Sequence, residues 1–287
     1  MAGVDLDHVT RISHSVERIA DPADPRIAEY RDLKEPALRR ARGVFVAEGR
    51  FIVRRLIDVR RFEIRSLLLT ESALRDLGDV VDGLDGPVFV APTAILRRVV
   101  GYDFHHGCLA AAARGVDTGA EPLLEPPGAR ILLVLEHLTD PYNVGAAFRN
   151  AMAFGVDAVL LFPGCADPLY RKAIRTSSGT TLAVPFARFE DWRGGLARMR
   201  QAGYRLIGLT PNALAVDIAS LETSANDLER VALVVGTEGE GLTPDTLAAV
   251  DLAVRIPMAA GVDSLNVATA CGIALHRLHA SRARPRA

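Results

Sequence analysis

Three polar loops interrupt otherwise apolar strands and gather the reactive side chains of this chain. In LEHLTDPYNVGAAFRNAMAFG (135–155) an apolar run ends, Asp140-Pro141 turns the chain, and a helix begins near Asn143. Asn143 and Arg149 are six residues apart, about 600° around that helix, within reach of neighbouring faces. Gly145 and the alanines keep the helix slim where something approaches closely. A plainer alternative stands beside this one: Asn143 caps the helix and Arg149 is a surface arginine. In VVGTEGEGL (234–242) glycines at 236, 239 and 241 follow a β-branched strand, as where backbone packs against a ligand. The spacing G-x-x-G-x-G is not a dinucleotide fingerprint, and no Gly-Lys-Ser/Thr follows to make a phosphate loop. Glu238 and Glu240 would repel a pyrophosphate but suit a positively charged or hydroxyl-bearing ligand; a simple strand-to-helix turn is the alternative. In IPMAAGVDSLNVATA (256–270) an apolar strand runs into a glycine-bearing loop, and Ser264-Leu265-Asn266 opens a helix. Ser264 or Asp263 would cap it, which puts Asn266, a poor helix former, inside the first turn.

The elements that carry these loops alternate. Strands are expected at 131–138, 157–162, 181–189, 204–210, 231–236 and 253–258. Helices are expected at 143–154, 169–178, along WRGGLARMRQAG, at 244–250 and at 264–280. Short apolar strands separated by amphipathic helices imply a parallel sheet covered on both faces, whose ligands sit outside the carboxyl ends of the strands. The loops after residues 138, 210, 236 and 258 then surround one crevice. The N-terminal half reads as a smaller α/β domain, with strands at 44–49, 64–70, 87–91 and 107–113 and helices along FIVRRLIDV and TAILRRVV. A helical pattern opens it at Asp24-Pro25, aspartate capping and proline in the first turn, and runs towards residue 57. Residues 1–23 read as an extension, 24–116 as the first domain, the proline- and glycine-rich 117–129 as a linker, and 130–287 as the second domain.

Bulk properties narrow the classes. With 287 residues, 49% apolar and 24% charged, the chain has an ordinary soluble composition. No apolar run approaches the roughly 18 to 20 residues of a membrane helix. Charges stand where a signal peptide would have its apolar core, so a cytoplasmic location and no membrane partner are expected. Cys108, Cys165 and Cys271 are far apart, without the pairing of a disulfide framework or a zinc ribbon, and read as buried inert thiols. The net charge of −1 hides a local excess: residues 26–65 hold twelve Lys/Arg against six Asp/Glu, an electrostatic footprint for nucleic acid or a solvated helix face.

Taken as an ordered set, the three loops resemble the motifs of the SpoU (TrmH-like) family of SPOUT methyltransferases. NVGAAFR (143–149) is similar to the family's Asn-x-Gly-x-x-x-Arg run, GTEGEGL (236–242) to Gly-x-Glu-x-x-Gly-Leu, and IPMAAGVDSLNV (256–267) to Ile-Pro-Met…Ser-Leu-Asn-Val. The likeness covers 130–280; one departure is Asn150, where a small residue or threonine is usual. DPRIAEYRDLKEPALRRARGVFVAEGRFIVRRLI, with GCLAAAA closing the domain, resembles more loosely the family's substrate-binding domain.

The resemblance implies an α/β fold with a trefoil-knotted C-terminal parallel sheet, helices on both faces, and a smaller ribosomal-protein-like α/β domain that grips RNA. It implies transfer of a methyl group from S-adenosyl-L-methionine to a ribose 2′-hydroxyl of RNA, ribosomal RNA first, and a homodimer through the C-terminal domain. No metal is implied. The implied cofactor residues are Leu209, Thr210, Pro211, Gly236, Thr237, Glu238, Gly241, Ile256, Met258, Ser264, Leu265, Asn266 and Ala268. The implied catalytic residues are Arg149, Asn143, Glu238, Ser264 and Asn266. The family assigns Arg149 the role of general base, but a guanidinium with pKa above about 12 is a poor base; stabilising the alkoxide and anchoring a phosphate are the physical alternatives. Glu238 would orient Arg149 or a substrate hydroxyl, while Asn143, Ser264 and Asn266 position ribose and cofactor. Transfer RNA as substrate and an RNA-binding protein without catalysis are the rival readings; a nucleotide-dependent oxidoreductase lacks its fingerprint.

Overall fold

Short strands, most of them apolar on both faces, build two separate sheets, one in each of two units, divided between Arg114 and Gly115. The computed structural model describes residues 16–31, 40–116, 119–128, 130–223, 229–237 and 239–283.

The first unit carries five strands in the order β1-β4-β3-β5-β2: β1 (Val16–Arg18), β2 (Val44–Glu48), β3 (Ile64–Leu69), β4 (Val88–Val90) and β5 (Cys108–Ala113). β1, β4 and β3 are parallel; β5 runs antiparallel between β3 and β2. The small side chains of CLAAAA let it be buried from both faces. Helices α1 (Arg50–Val59), α2 (Glu71–Val81) and α3 (Thr93–Val100) follow β2, β3 and β4. α1 turns Ile52, Val53 and Leu56 inward and leaves its arginines half-buried or exposed. Asp24 caps a 3-10 helix, Pro25–Tyr30, by accepting from the Arg26 amide, so the expected helix start is a short 3-10 segment kinked at Ile27. Of the expected extension, residues 1–15 lie outside the described residues, and Val16–Arg18 is an edge strand of the sheet.

The second unit is a seven-stranded sheet, parallel throughout, in the order β10-β12-β9-β11-β6-β7-β8. Its elements are α4 (Glu121–Leu124), β6 (Arg130–Leu135), α5 (Pro141–Ala153), β7 (Ala158–Leu161), α6 (Arg171–Thr176), α7 (Thr180–Ala183), β8 (Phe186–Arg188), α8 (Trp192–Gln201), β9 (Arg205–Leu209), β10 (Val216–Asp217), β11 (Arg230–Val235), α9 (Pro244–Ala249), β12 (Leu252–Arg255) and α10 (Val267–Ala283). Strand period two divides the core. Ile131, Leu133 and Leu135 pack with Val144 and Phe148 of α5 and Leu275 of α10; Leu132 and Val134 pack with Leu196 and Met199 of α8 on the other face. Both faces are therefore covered, as parallel sheets require.

Three expectations change here. The stretch read as a linker carries α4, with Ala120 and Leu124 buried in the second core and the Arg230 guanidinium donating to the Leu124 and Pro126 carbonyls. Residues 181–189 split into α7 and β8, because Gly179 (φ 79°) starts a helical turn and Pro185 separates it from the strand. The last helix begins at Val267 and not at Ser264.

Candidate active site

The carboxyl ends of β9, β11 and β12 open into a cavity of about 330 Å³. Leu209, Thr210 and Pro211 line it after β9; Val235, Gly236, Thr237, Gly239 and Gly241 after β11; Ile256 and Met258 after β12; and Ser264, Leu265, Asn266, Val267 and Ala270 where α10 begins. The middle loop folds back on itself through a Thr237–Gly241 bridge, with the Gly241 amide donating to the Thr237 carbonyl at 3.1 Å. Gly236 permits this, since a Cβ there would stand 2.2 Å from the Gly241 carbonyl oxygen. Gly239 and Gly241 take left-handed φ of 90° and 72°, which favours glycine. One glycine thus closes the loop and two turn it.

Asn266 is the cap of α10. Its Oδ1 accepts from the amides of Ala268 (3.0 Å) and Thr269 (3.2 Å), and its Nδ2 donates to Oδ1 of Asn143 at 3.1 Å. The first and third loops therefore meet across 123 residues of sequence. Asn143 is buried on α5; the cap of that helix is Asp140, whose carboxylate accepts from the Tyr142 amide. Asn150, two turns on, donates from Nδ2 to the Ala268 carbonyl at 2.7 Å. Gly272 gives that amide room, since a Cβ there would lie 3.1 Å from it. Ala268 holds α10 in place through its backbone and is not among the cavity-lining residues. Arg149 is exposed on α5, also outside the cavity lining, and has no hydrogen-bond or ion-pair partner among the described residues. Glu238 lies outside the described residues.

A profile described as the SpoU rRNA Methylase family matches residues 130–276, just over half the chain. The tRNA/rRNA methyltransferase Rv0881 of Mycobacterium tuberculosis, named as uncharacterized, is 40% identical over 91% of both chains. This chain belongs to the SpoU rRNA methylase family. It is on that ground an S-adenosylmethionine-dependent RNA methyltransferase. The 23S rRNA (guanosine-2′-O-)-methyltransferase RlmB of Ralstonia nicotianae is 34% identical over 63% of this chain and 71% of its own. In fold, the methyltransferase is similar to the AdoMet-bound rRNA methyltransferase of Sinorhizobium meliloti: TM-score 0.79, 23% identity, 92% of this chain and 98% of that one.

A residue that sequence reading passed over supports the cavity from behind. Glu136 follows β6, is 1% exposed, and accepts from the hydroxyls of Thr243 (2.7 Å) and Thr246 (2.5 Å). It thereby ties the start of α9, and the end of the glycine-rich loop, to the strand that carries the first loop. A carboxylate closing an apolar run, with a Thr-x-x-Thr pair a hundred residues on, was the available signal; a buried acid needs such donors. The methyltransferase's Cys271 is fully buried on α10, and burial pushes its thiol up to about 12, so it is no nucleophile at neutral pH. Among the described residues no three His, Cys, Asp or Glu side chains could share a metal ion, and no helix is long and apolar enough to cross a membrane.

Proposed function

We propose that this methyltransferase methylates a ribose 2′-hydroxyl of RNA, with ribosomal RNA as the substrate. The observation that carries the reading is one cavity walled by the second and third loops and by the turn after β9, joined through the Asn266–Asn143 hydrogen bond to the helix that bears Arg149. S-adenosylmethionine fits what the chain offers. The cavity volume lies within the range of about 300 to 1,000 Å³ typical of small-molecule sites. Leu209, Ile256, Met258 and Val267 supply an apolar floor for a purine, and Thr210, Ser264, Asn266 and the glycine-loop backbone supply polar contacts. When bound, the cofactor supplies an electrophilic methyl group on a sulfonium.

The chain's own residues then align the acceptor and stabilise charge. Asn266 and Asn143, fixed against each other, orient polar groups at the cavity mouth; alignment of this kind is worth several kcal/mol of barrier. The Arg149 guanidinium, which has no proton-accepting atom, donates to the 2′-oxygen while the hydroxyl proton passes to solvent water and the methyl group takes its place, and it holds an adjoining phosphate. Glu238, outside the described residues, keeps in this reading the role the family resemblance implies, orienting Arg149 or a substrate hydroxyl. The ribosomal substrate is supported by RlmB, a 23S rRNA methyltransferase by name; the basic excess of residues 26–65 supports reading the first unit as the one that grips RNA. A trefoil-knotted second unit and a homodimer through it belong to the same proposal. Its support is the exposure of Met152 (45%) on α5 and Ile273 (37%) on α10, two helices that pack together, and of Arg149 outside its own chain's cavity lining.

The test is transfer of labelled methyl from S-adenosylmethionine to unmodified 16S, 23S and transfer RNA transcripts, with 2′-O-methyl positions mapped afterwards. A mapped ribosomal site is expected. Methylation of transfer RNA alone would replace the substrate, and methyl on a base would overturn the chemistry.

A further inference from the structure

Arg149 has company on the exposed side of α5. Seven residues earlier, two turns back along nearly the same line of the helix, Tyr142 is 46% exposed. The Lys172 ammonium of α6 lies 5.5 Å from the centroid of its ring. Lys172 is one of only two lysines in the chain, Lys34 being the other. Arg175, three residues further along α6, is also exposed.

The ground beneath this pair is rigid. Gly145 lets α6 cross close to α5, since a Cβ would stand 2.6 Å from the Ala173 carbonyl oxygen. The loops that lead into the two helices are stitched together: the Ala166 amide donates to the Leu138 carbonyl at 2.7 Å, and the Cys165 thiol to the Leu135 carbonyl at 3.2 Å. Arg188 donates to the carbonyls of Cys165 and Ala166. His137, exposed and held at φ 53°, lays its ring on Gly164, where a Cβ would be 2.8 Å from imidazole Cδ2. A flat aromatic ring and a point charge are thus held on a firm shelf at the carboxyl edge of the sheet, the edge that also holds the cofactor cavity.

We propose that Tyr142 and Lys172 form a subsite for the nucleotide adjoining the methylated one: its base stacks on the Tyr142 ring and its phosphate pairs with Lys172. This rests on the RNA 2′-O-methylation reading above. Stacking on an aromatic ring beside a cation is how proteins hold an unpaired nucleotide without reading its base. The two-turn spacing puts Tyr142 about 10 Å from Arg149 along the helix, a nucleotide-scale separation. The neighbouring carboxylate, Asp140, is turned to the Tyr142 amide as the helix cap. A second copy of the chain fits this patch less well than RNA, because a two-fold contact would set Lys172 and Arg175 against themselves.

The experiment uses the full chain with Tyr142→Ala, Tyr142→Phe and Lys172→Gln. Two probes are read: methylation of the 23S rRNA transcript, and binding of a short fluorescent oligouridine. Tyr142→Ala is expected to raise the RNA KM and weaken oligouridine binding roughly ten-fold or more, with the S-adenosylmethionine Kd unchanged. Tyr142→Phe, which keeps the ring face, should bind like the native chain. Lys172→Gln should lower the slope of log K against log salt by about 1, and oligouridine should shield Lys172 from acylation in the native protein. Unchanged RNA KM and binding in Tyr142→Ala would overturn the subsite, as would conversion of a dimer to a monomer by that variant. If no transcript is methylated but oligouridine binding still depends on Tyr142, the subsite stands and the parent reading fails.

Discussion

Asn143 and Arg149 stand six residues apart on one helix, yet one is buried against Asn266 and the other is in solvent. That division separates their effects. Arg149→Ala is expected to lower kcat by about 10² to 10³, the usual cost of one removed donor to a developing oxyanion. The S-adenosylmethionine Kd from calorimetry should barely change, because Arg149 is outside the cavity lining; parallel loss of both would mean that the arginine holds the cofactor. Asn266→Ala removes the α10 cap and its hydrogen bond to Asn143, a cost of about 1 to 3 kcal/mol in urea unfolding, with weaker cofactor binding. The thiols give a pH test. Burial pushes Cys108 and Cys271 up to about 12, against about 8.5 in an unfolded chain. Their contribution is therefore fully present below about pH 8.5 and is lost as pH rises towards 12, where the unfolded state sheds its protons first. The urea midpoint should fall from pH 7.5 to pH 10.5, and fall less in Cys271→Ala. At this scale sequence reading found the polar residues but not their partners. Asn266 reads as misplaced inside a helix because a cap two residues beyond Ser264 is invisible without coordinates, and Asn150 reads as a mere departure because its acceptor, the Ala268 carbonyl, is 118 residues away.

The glycine-rich loop behaves as one element. Gly236→Ala would drive a Cβ into the Gly241 carbonyl, 2.2 Å away, and backbone cannot yield as a side chain can. The overpacking of about 1 to 3 kcal/mol should weaken cofactor binding about ten- to a hundred-fold. Circular dichroism should stay native-like, since the loop is outside the core; a lost fold would mean that it supports the sheet as well. Elements with strong patterns were readable for a physical reason. β6, β7, β9 and β11 are apolar on both faces because helices cover both, so their runs stand out without homologues. Short or interrupted elements were not readable. β1 and β10 have three and two residues, too few to show a period. α2 interleaves Asp76, Gly78 and Asp79 with its apolar positions, which hides its helical period in the sequence. The segment 117–129 has the composition of a linker, and only the second core shows that Leu124 is packed and Arg230 satisfies the backbone around it.

The chain as a whole is two sheets with separate cores, and its parts are separable on paper. Residues 115–287 expressed alone should fold and bind S-adenosylmethionine with native Kd, while the KM for ribosomal RNA rises and the salt slope falls by several, as phosphate contacts are lost. Native RNA KM in that fragment would remove the gripping role from the first unit. The parallel order of the second sheet also carries a cost in time. β6 and β11 pair in register from Arg130–Arg230 to Leu135–Val235, so adjacent strands are separated by a hundred residues of chain. At translation rates of about 5 to 20 residues per second, β6 leaves the ribosome roughly 5 to 20 seconds before its partner exists. The first unit can close its own sheet in that interval. The β6 edge, apolar and unpaired on the side awaiting β11, is meanwhile a template for pairing with other nascent chains. Synthesis rate and the chaperones that shield this edge should therefore govern the yield of active enzyme more than its final stability does.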